Sequence, residues 1–343
     1  MSHRVPESRV PAIEEVLSAL RAGQHIVLTT HINADGDGAG SQVALASWLK
    51  AQGKKVHIVN PTAFPRSLGS LLPDSGWAST QGSRSAHEAL RKADLAVVLD
   101  TGEASRVGSV YPHLESLPRV VVDHHPPGDE PISGVSLVDP EACATGELVF
   151  DLLVHAGGPW LPEIVTGLYV ALLSDTGSFR FSNTTPTTHR IAAELVERGA
   201  EPEELYRLVY GNFPLRKLRL LQAALGELKV DPDGGLAWMT VPAEAYDALG
   251  ARAEDIEGLV DFPRDVEGVE VGLLFRETAR GGTKVSFRSN GGTDVNALAR
   301  AFGGGGHVKA SGAVVDRPLP EVRAEVLNAV RAALRGREMD DEG

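Results

Sequence analysis

A single cysteine, Cys143, stands in a chain of 343 residues. No disulfide can form within the chain, so its core must hold the fold together, which suits a reducing compartment. Cys143 itself reads as a small buried side chain, with a nucleophilic thiol as the alternative reading. Also lacking is any apolar run near the ~20 residues of a membrane-spanning helix. The first residues lack the basic-then-apolar pattern of a secretory signal. These absences lead us to expect a soluble, cytoplasmic protein with no membrane partner. Positive charge is scarce too. Lys and Arg number 33 against 46 Asp and Glu, a formal net charge of −13, which argues against the broad basic face of a duplex-DNA binder. One stretch runs the other way. Between Glu270 and Gly312 stand Arg276, Arg280, Lys284, Arg288, Arg300 and Lys309 against Glu270, Glu277 and Asp294, so it nets 6 − 3 = +3.

The length allows two domains. Helical spacing at 10–22 is closed by Gly23, and a strand is expected at 25–30. A glycine-rich turn at 36–40 leads to a helix over 41–52 and a strand at Lys55–Asn60. Residues 61–84 read as loop, 86–92 as helix, and two further strands end at Asp100 and Asp123. Four prolines mark 126–140 as a connection without an element of its own. Helical patterns return at 144–156, 162–173 and 187–198. This alternation implies an α/β fold, a mostly parallel sheet with helices on both faces. After Gly199 the pattern changes. We expect a first domain over 1–199, a helical linker over 200–224 and a smaller α/β domain over 225–343. The later part shows a helix at 202–227 broken near 211–214, strands at 236–241, 269–277, 283–289 and 312–315, and a helix at 294–302.

Apolar, β-forming runs end in metal-type ligands three times: His25–Thr30 before His31, Asp35 and Asp37; Leu95–Leu99 before Asp100; Arg119–Val122 before Asp123, His124 and His125. Carboxyl ends of parallel strands converge on one crevice. Asp175 adds a carboxylate after another apolar stretch. Gly36, Gly38 and Gly40 would let the backbone turn tightly and approach a bound ion or phosphate. Singly, each ligand has a plainer reading, Asp as a helix cap or turn residue and His as a satisfied structural side chain. Jointly they point to metal. Mixed imidazole and carboxylate donors without thiolate suit Mn, Fe, Co or Zn more than Ca. So many donors suit two ions sharing a carboxylate, an arrangement used for phosphoryl hydrolysis.

A second candidate lies later. Arg288 and Ser289 end a strand, and Gly303–Gly306 precede His307. Successive glycine amides can cradle a phosphate, Arg can clamp its oxygens, and His307 can bond a phosphate or stack on a base. A glycine helix stop is the plainer reading, but four glycines exceed what a stop needs. Arg106 and Lys309 are phosphate contacts or solvated charges. Phe179 and Phe181, and Tyr206 and Tyr210, read as packing pairs.

His31-Ile32-Asn33-Ala34-Asp35-Gly36-Asp37, Asp100-Thr101, Asp123-His124-His125 and Ser174-Asp175-Thr176-Gly177 resemble the four motifs of the DHH phosphoesterase superfamily. Gly303-Gly304-Gly305-Gly306-His307 resembles the glycine motif of the accompanying DHHA1 domain. Asp175–Asn183 and the overall spacing look most like its NrnA-like branch, oligoribonucleases that also dephosphorylate 3′-phosphoadenosine 5′-phosphate (pAp). Ala34 departs from the proline common in relatives. The resemblance implies that His31, Asp35 and Asp100 hold one divalent ion and Asp37, Asp100, His124 and Asp175 the other, Mn²⁺ first and Mg²⁺ or Co²⁺ next. It also implies His125 at the scissile phosphate and Asp123 orienting an imidazole. Arg288, Ser289, Gly304, Gly305, Gly306, His307 and Arg106 would bind substrate. The expected substrate is short single-stranded RNA or a small nucleotide, and a second copy of the chain is an expected partner. Hydrolysis of cyclic dinucleotides or their linear products is the alternative activity. Inorganic pyrophosphate, long single strands and non-catalytic nucleotide sensing fit the residues less well.

Overall fold

The computed structural model describes residues 3–128, 130–256, 258–278 and 281–341. Its elements in chain order are α1 (Val10–Ala22), β1 (His25–Thr29), α2 (Gly36–Ala51), β2 (Lys55–Asn60), β3 (Ala78–Thr80), α3 (Arg84–Lys92), β4 (Leu95–Leu99), α4 (Ala104–Val107), β5 (Arg119–Asp123), β6 (Val135–Val138), α5 (Thr145–Ala156), α6 (Pro162–Asp175), α7 (Pro186–Glu197) and α8 (Pro202–Tyr206). Then follow α9 (Leu215–Leu225), β7 (Lys229–Val230), β8 (Leu236–Val241), α10 (Ala243–Ala248), α11 (Asp261–Arg264), β9 (Val271–Glu277), β10 (Thr283–Ser289), α12 (Val295–Arg300), β11 (Gly305–Gly306), β12 (Ala310–Val315) and α13 (Leu319–Asp341). They form two units, Met1–Asn212 and Phe213–Gly343.

In unit 1 the strands run β3-β2-β1-β4-β5-β6, every pair parallel. Strand side chains alternate between two apolar layers. Ile26, Leu28, Leu95, Val97 and Leu99 enter the larger core with α1, α2, α5 and α6. Val27, Ala96, Val98 and Val121 enter the opposite core with Val107, Val110 and Leu114. Both faces are covered, as a parallel sheet requires. The chain leaves β1 toward β2 on one side, while β4 pairs with β1 on the other. The crevice for a ligand therefore opens past β1 and β4, where strand order reverses.

The glycines after His31 act differently from the expectation. Residues 36–40 are not a turn but the first turn of α2, and none of the three glycines has positive φ. They are needed for close approach. A Cβ on Gly40 would lie 2.2 Å from Gly167 O, and one on Gly36 would lie 2.5 Å from Ser174 Cβ. Every residue of α2 from Gly36 to Leu49 is buried, and glycine lets α6 lie against its backbone. The proline-rich 126–140 connection holds an element after all, β6, which pairs only with β5 at the sheet edge. Prolines are tolerated beside such an edge. The loop at 61–84 likewise contains the short β3.

Unit 2 is a smaller α/β body with strand order β11-β12-β10-β9-β8-β7. Only β8 and β9 run parallel. Val271, Leu273, Phe275, Val285 and Phe287 pack against Val322, Val326 and Val330 of α13. Met239, Val241 and Leu274 pack with Leu220 and Ala224 of α9 on the other side. The helical stretch at 202–227 is α8, a wider helical turn at Arg207–Gly211, a break at Asn212–Pro214, and α9. Arg280 of the basic stretch lies outside the described residues. Among the described residues no helix is long and apolar enough to cross a membrane.

Alanine at Gly40 gains up to about 1 kcal/mol of helix propensity, but the overlap with Gly167 O dominates. Gly40→Ala should lose a net of about 1–3 kcal/mol in urea unfolding. Gly69→Ala, where a Cβ meets open space, should stay within about 0.5 kcal/mol of the parent. Equal stability of the two variants would remove the close-packing argument.

Candidate metal centre

Four segments of unit 1 bring carboxylates and imidazoles together. Past β1, Asp35 caps α2, its Oδ1 accepting from Asp37 N at 3.0 Å and Gly38 N at 3.1 Å. Asp37 is thereby fixed in the first helical turn and fully buried. Its Oδ1 accepts from Ser41 Oγ at 3.0 Å and Gly146 N at 2.9 Å, and its Oδ2 accepts from Thr145 N at 2.6 Å. Asp100 follows β4. Its N–H donates to Val122 O, and its φ of 62° turns the chain sharply off the sheet. Its Oδ1 accepts from Thr145 Oγ1 at 3.2 Å, and its Oδ2 lies 3.2 Å from His31 Nε2.

Past β5, Asp123 Oδ1 accepts from His125 N at 3.1 Å and Nδ1 at 2.7 Å, which fixes that ring. His124 Nδ1 sits 3.3 Å from Ala142 O. Its Nε2 lies 3.8 Å from Asp37 Oδ2, 3.6 Å from Asp100 Oδ1 and 3.5 Å from Asp175 Oδ2. His31 repeats the pattern, with Nδ1 at 3.0 Å from Ile32 O and Nε2 toward Asp100 and Asp35. One ring nitrogen on a carbonyl and the other aimed at carboxylates is how a metal-ligating imidazole is oriented. Asp175 arrives from a helix, as the last residue of α6, and not from a strand.

Three groups lying wholly within unit 1 offer donor atoms within 4.8 Å of one another: His31, Asp35 and Asp100; Asp37, His124 and Asp175; Asp100, Asp123 and His125. Asp100 belongs to two of them. Among the described residues, the non-glycine positions with positive φ are Asn33, Asp100, Ser178 and Phe179. All lie in the segments bearing these groups, which is where backbone strain concentrates at functional sites.

The charges are mutually disturbing. Burial raises the Asp37 pKa well above the usual range, and Asp100, Asp175 and Asp35 push it further. Burial and the Asp35 and Asp100 charges outweigh His124 and bring Asp175 up to about 7. Burial also acts on Asp100, but the hydrogen bond and charge of His31, with His125 and His124, hold it below the ordinary carboxylate range. Burial favours neutral His31, yet Asp100 and Asp35 push it up to about 9. His124 is raised too, burial being outweighed by Asp175, Asp100 and Asp123. Carboxylates so crowded that Asp37 and Asp175 are driven to take up protons, beside imidazoles held charged, suit divalent cations, and their nitrogen and oxygen donors suit Mn²⁺ among others.

The DHH family, N-terminal domain, matches residues 25–172, and the DHHA1 domain matches residues 241–336. A bifunctional oligoribonuclease and PAP phosphatase NrnA of Thermus thermophilus is 36% identical over 97% of this chain and 98% of its own. The chain belongs to the DHH family. The protein of the same name from Bacillus subtilis is 26% identical over 88% of this chain and 92% of its own. A crystal structure titled an exopolyphosphatase-related protein from Bacteroides fragilis superposes with a TM-score of 0.85 at 27% identity. It covers 95% of this chain and 96% of that one.

The other candidate residues are placed as follows. Arg106 lies in α4, half-buried, and its charge works against protonation of His31. In unit 2, Arg288 and Ser289 end β10, with Arg288 Nη1 donating to Phe287 O and Nε 3.6 Å from Asp261 Oδ1. Gly303 N and Gly304 N close the end of α12 on Arg300 O and Ala299 O. Gly304 and Gly306 also lie too close to β12 for a Cβ, which would meet Gly312 O at 2.1 Å and Ala310 O at 2.6 Å. Helix closure and close packing thus account for part of the glycine run, while Gly305 and Gly306 remain exposed ahead of His307. The sequence reading had no part for Ala142, Thr145, Gly146 or Ser41. Their contribution is backbone and hydroxyl bonding, for which the only sequence signal is the helix start at Thr145.

Protonated His31 contributes stability that is complete below pH 6.5 and lost as pH rises to about 9. Chelator-treated protein should therefore unfold at lower urea at pH 9 than at pH 6.5. His31→Gln should reduce that difference and leave the share of Asp175, Asp37 and His124, whose pKa values are also raised; a difference undiminished in the variant would remove His31 from it.

Proposed function

We propose that the chain is a metal-dependent phosphoesterase that hydrolyses short oligoribonucleotides to mononucleotides and pAp to AMP. The observation that carries this reading is the group of buried Asp37, Asp100 and His124 with half-buried His31 and Asp175 at the sheet's switch point. His31, Asp35 and Asp100 would hold one ion, and Asp37, Asp100, His124 and Asp175 the other, with Asp100 shared. Two divalent cations, Mn²⁺ before Mg²⁺ or Co²⁺, supply Lewis acidity that polarises a phosphoryl group and lowers the pKa of the attacking water. The chain's own groups do the rest. Asp123 fixes His125 through Nδ1, so Nε2 is the nitrogen that would meet a phosphoryl oxygen, and in the imidazolium form it donates there and offsets charge growing on that oxygen. Burial keeps bulk water from Asp37 and Asp100.

In unit 2, Arg288, Ser289, Gly304, Gly305, Gly306 and His307 would bind nucleotide, and in unit 1 Arg106 would be a phosphate contact. Arg288 acts as a planar fork for phosphate oxygens, and the exposed Gly305–Gly306 backbone allows close approach. The full-length similarity to proteins named bifunctional oligoribonuclease and PAP phosphatase supports both activities. Few phosphates are engaged, so short substrates are preferred.

A panel of pApA, pAp, cyclic di-AMP and pyrophosphate, run with Mn²⁺, Mg²⁺ and chelator, tests the reading. pApA and pAp should turn over with Mn²⁺ and stop with chelator, and Asp100→Ala should fall to background. Arg288→Ala should raise KM about 10- to 100-fold, the worth of a charged hydrogen bond. Turnover of cyclic di-AMP above the linear substrates, or normal turnover in Asp100→Ala, would overturn it.

A further inference from the structure

Near the N-terminus Arg9 is buried, with 6% of its surface exposed. Its Nε donates to Asp139 Oδ2 at 2.7 Å, and its Nη1 donates to Glu147 Oε1 at 2.8 Å and to Asp151 Oδ2 at 2.7 Å. Two of these carboxylates pass the restraint onward. Glu147 Oε2 accepts from Cys143 N at 3.1 Å, and Asp139 Oδ1 accepts from Glu141 N at 3.0 Å. Arg9 thereby grips both ends of the segment 139–147.

That segment is the scaffold of the metal centre. It presents Ala142 O to His124, Thr145 to Asp37 and Asp100, and Gly146 N to Asp37. Cys143 O accepts from Asn183 Nδ2, which also donates to Asp175 O. One short segment therefore touches the supports of four candidate ligands, and a guanidinium 130 to 138 positions earlier in the chain fixes its ends. A buried ion pair is a weak device for stability alone, since apolar packing of similar volume does as well. A rigid fork bonded in set directions is a strong device for position.

We propose that Arg9 is a positioning residue for the metal centre, setting where the amides and carbonyls of 139–147 meet the ligands. This role presupposes that the centre takes divalent ions. Arg9→Lys keeps the charge and loses the fork. In an EPR titration of full-length protein with Mn²⁺, its dissociation constant should rise about ten-fold, the scale of losing an outer partner of metal ligands. Its kcat on pApA should fall with KM nearly unchanged. Asp139→Asn, at a side chain one quarter exposed, should shift Mn²⁺ binding the same way by less, and it decides the matter if Arg9→Lys does not fold. Val110→Ala, in the opposite core, should lower the melting temperature and leave Mn²⁺ binding alone. Variants at Arg9 and Asp139 that melt earlier yet bind Mn²⁺ like the parent would reduce Arg9 to a structural residue. A parent protein that binds no Mn²⁺ would overturn the metal-binding reading and this role with it.

Discussion

Repulsion among buried carboxylates is the constraint to which the rest of unit 1 answers. Asp37 and Asp100 are almost wholly withdrawn from water, and Asp175 and Asp35 stand beside them. Like charges so placed interact far more strongly than they would in solvent. The chain offsets this locally with amide and hydroxyl donors: Thr145 and Gly146 for Asp37, Thr145 Oγ1 for Asp100, and Asp37 and Gly38 amides for Asp35. None of these donors carries net charge, so each leaves the carboxylates able to bind a cation. A lysine or arginine in the same place would have satisfied the charges and closed the site to metal.

Such an assembly is possible only where several chain segments end together, and the reversal of strand order between β1 and β4 provides that place. The apolar alternation of β1, β4 and β5 serves both cores at once, so the strand ends cannot slide without moving whole rows of side chains to the wrong face. Register in the sheet thus becomes position in the site. The positive φ values at Asn33, Asp100, Ser178 and Phe179 are costs that the packed layers on either side sustain.

What the sequence made legible follows from this. His31, Asp100 and Asp123 were readable because a buried parallel strand is a continuous apolar run, and its abrupt polar end marks the crevice. Asp175 was readable only as a carboxylate after apolar residues, since a buried helix and a buried strand look alike over so short a span. Gly36, Gly38 and Gly40 were misread because glycine signals both turns and close helix packing, and only the presence of α6 distinguishes them. β6 was hidden by the prolines around it, and β3 by its length. The pattern Leu319, Val322, Val326, Val330 did carry α13, overlooked beside the flanking prolines. Backbone donors such as Gly146 N have no residue-type signature at all, so the 139–147 scaffold was beyond reach from sequence.

The acidity of the chain now takes on a different meaning. A net charge of −13 is a poor guide to what a protein binds when screening limits each charge to about 8 Å at physiological ionic strength. What a nucleotide phosphate meets is the local set of charges. On the proposed reading, unit 1 without cations presents carboxylates that repel the phosphate, whereas the 270–312 stretch of unit 2 carries the basic excess. That reading assigns affinity to unit 2 and chemistry to unit 1, where cation occupancy would decide reactivity. On that reading the chain needs no broad basic surface, and a stretch of net +3 offers little to long polyanions, which gain their affinity from many phosphates at once.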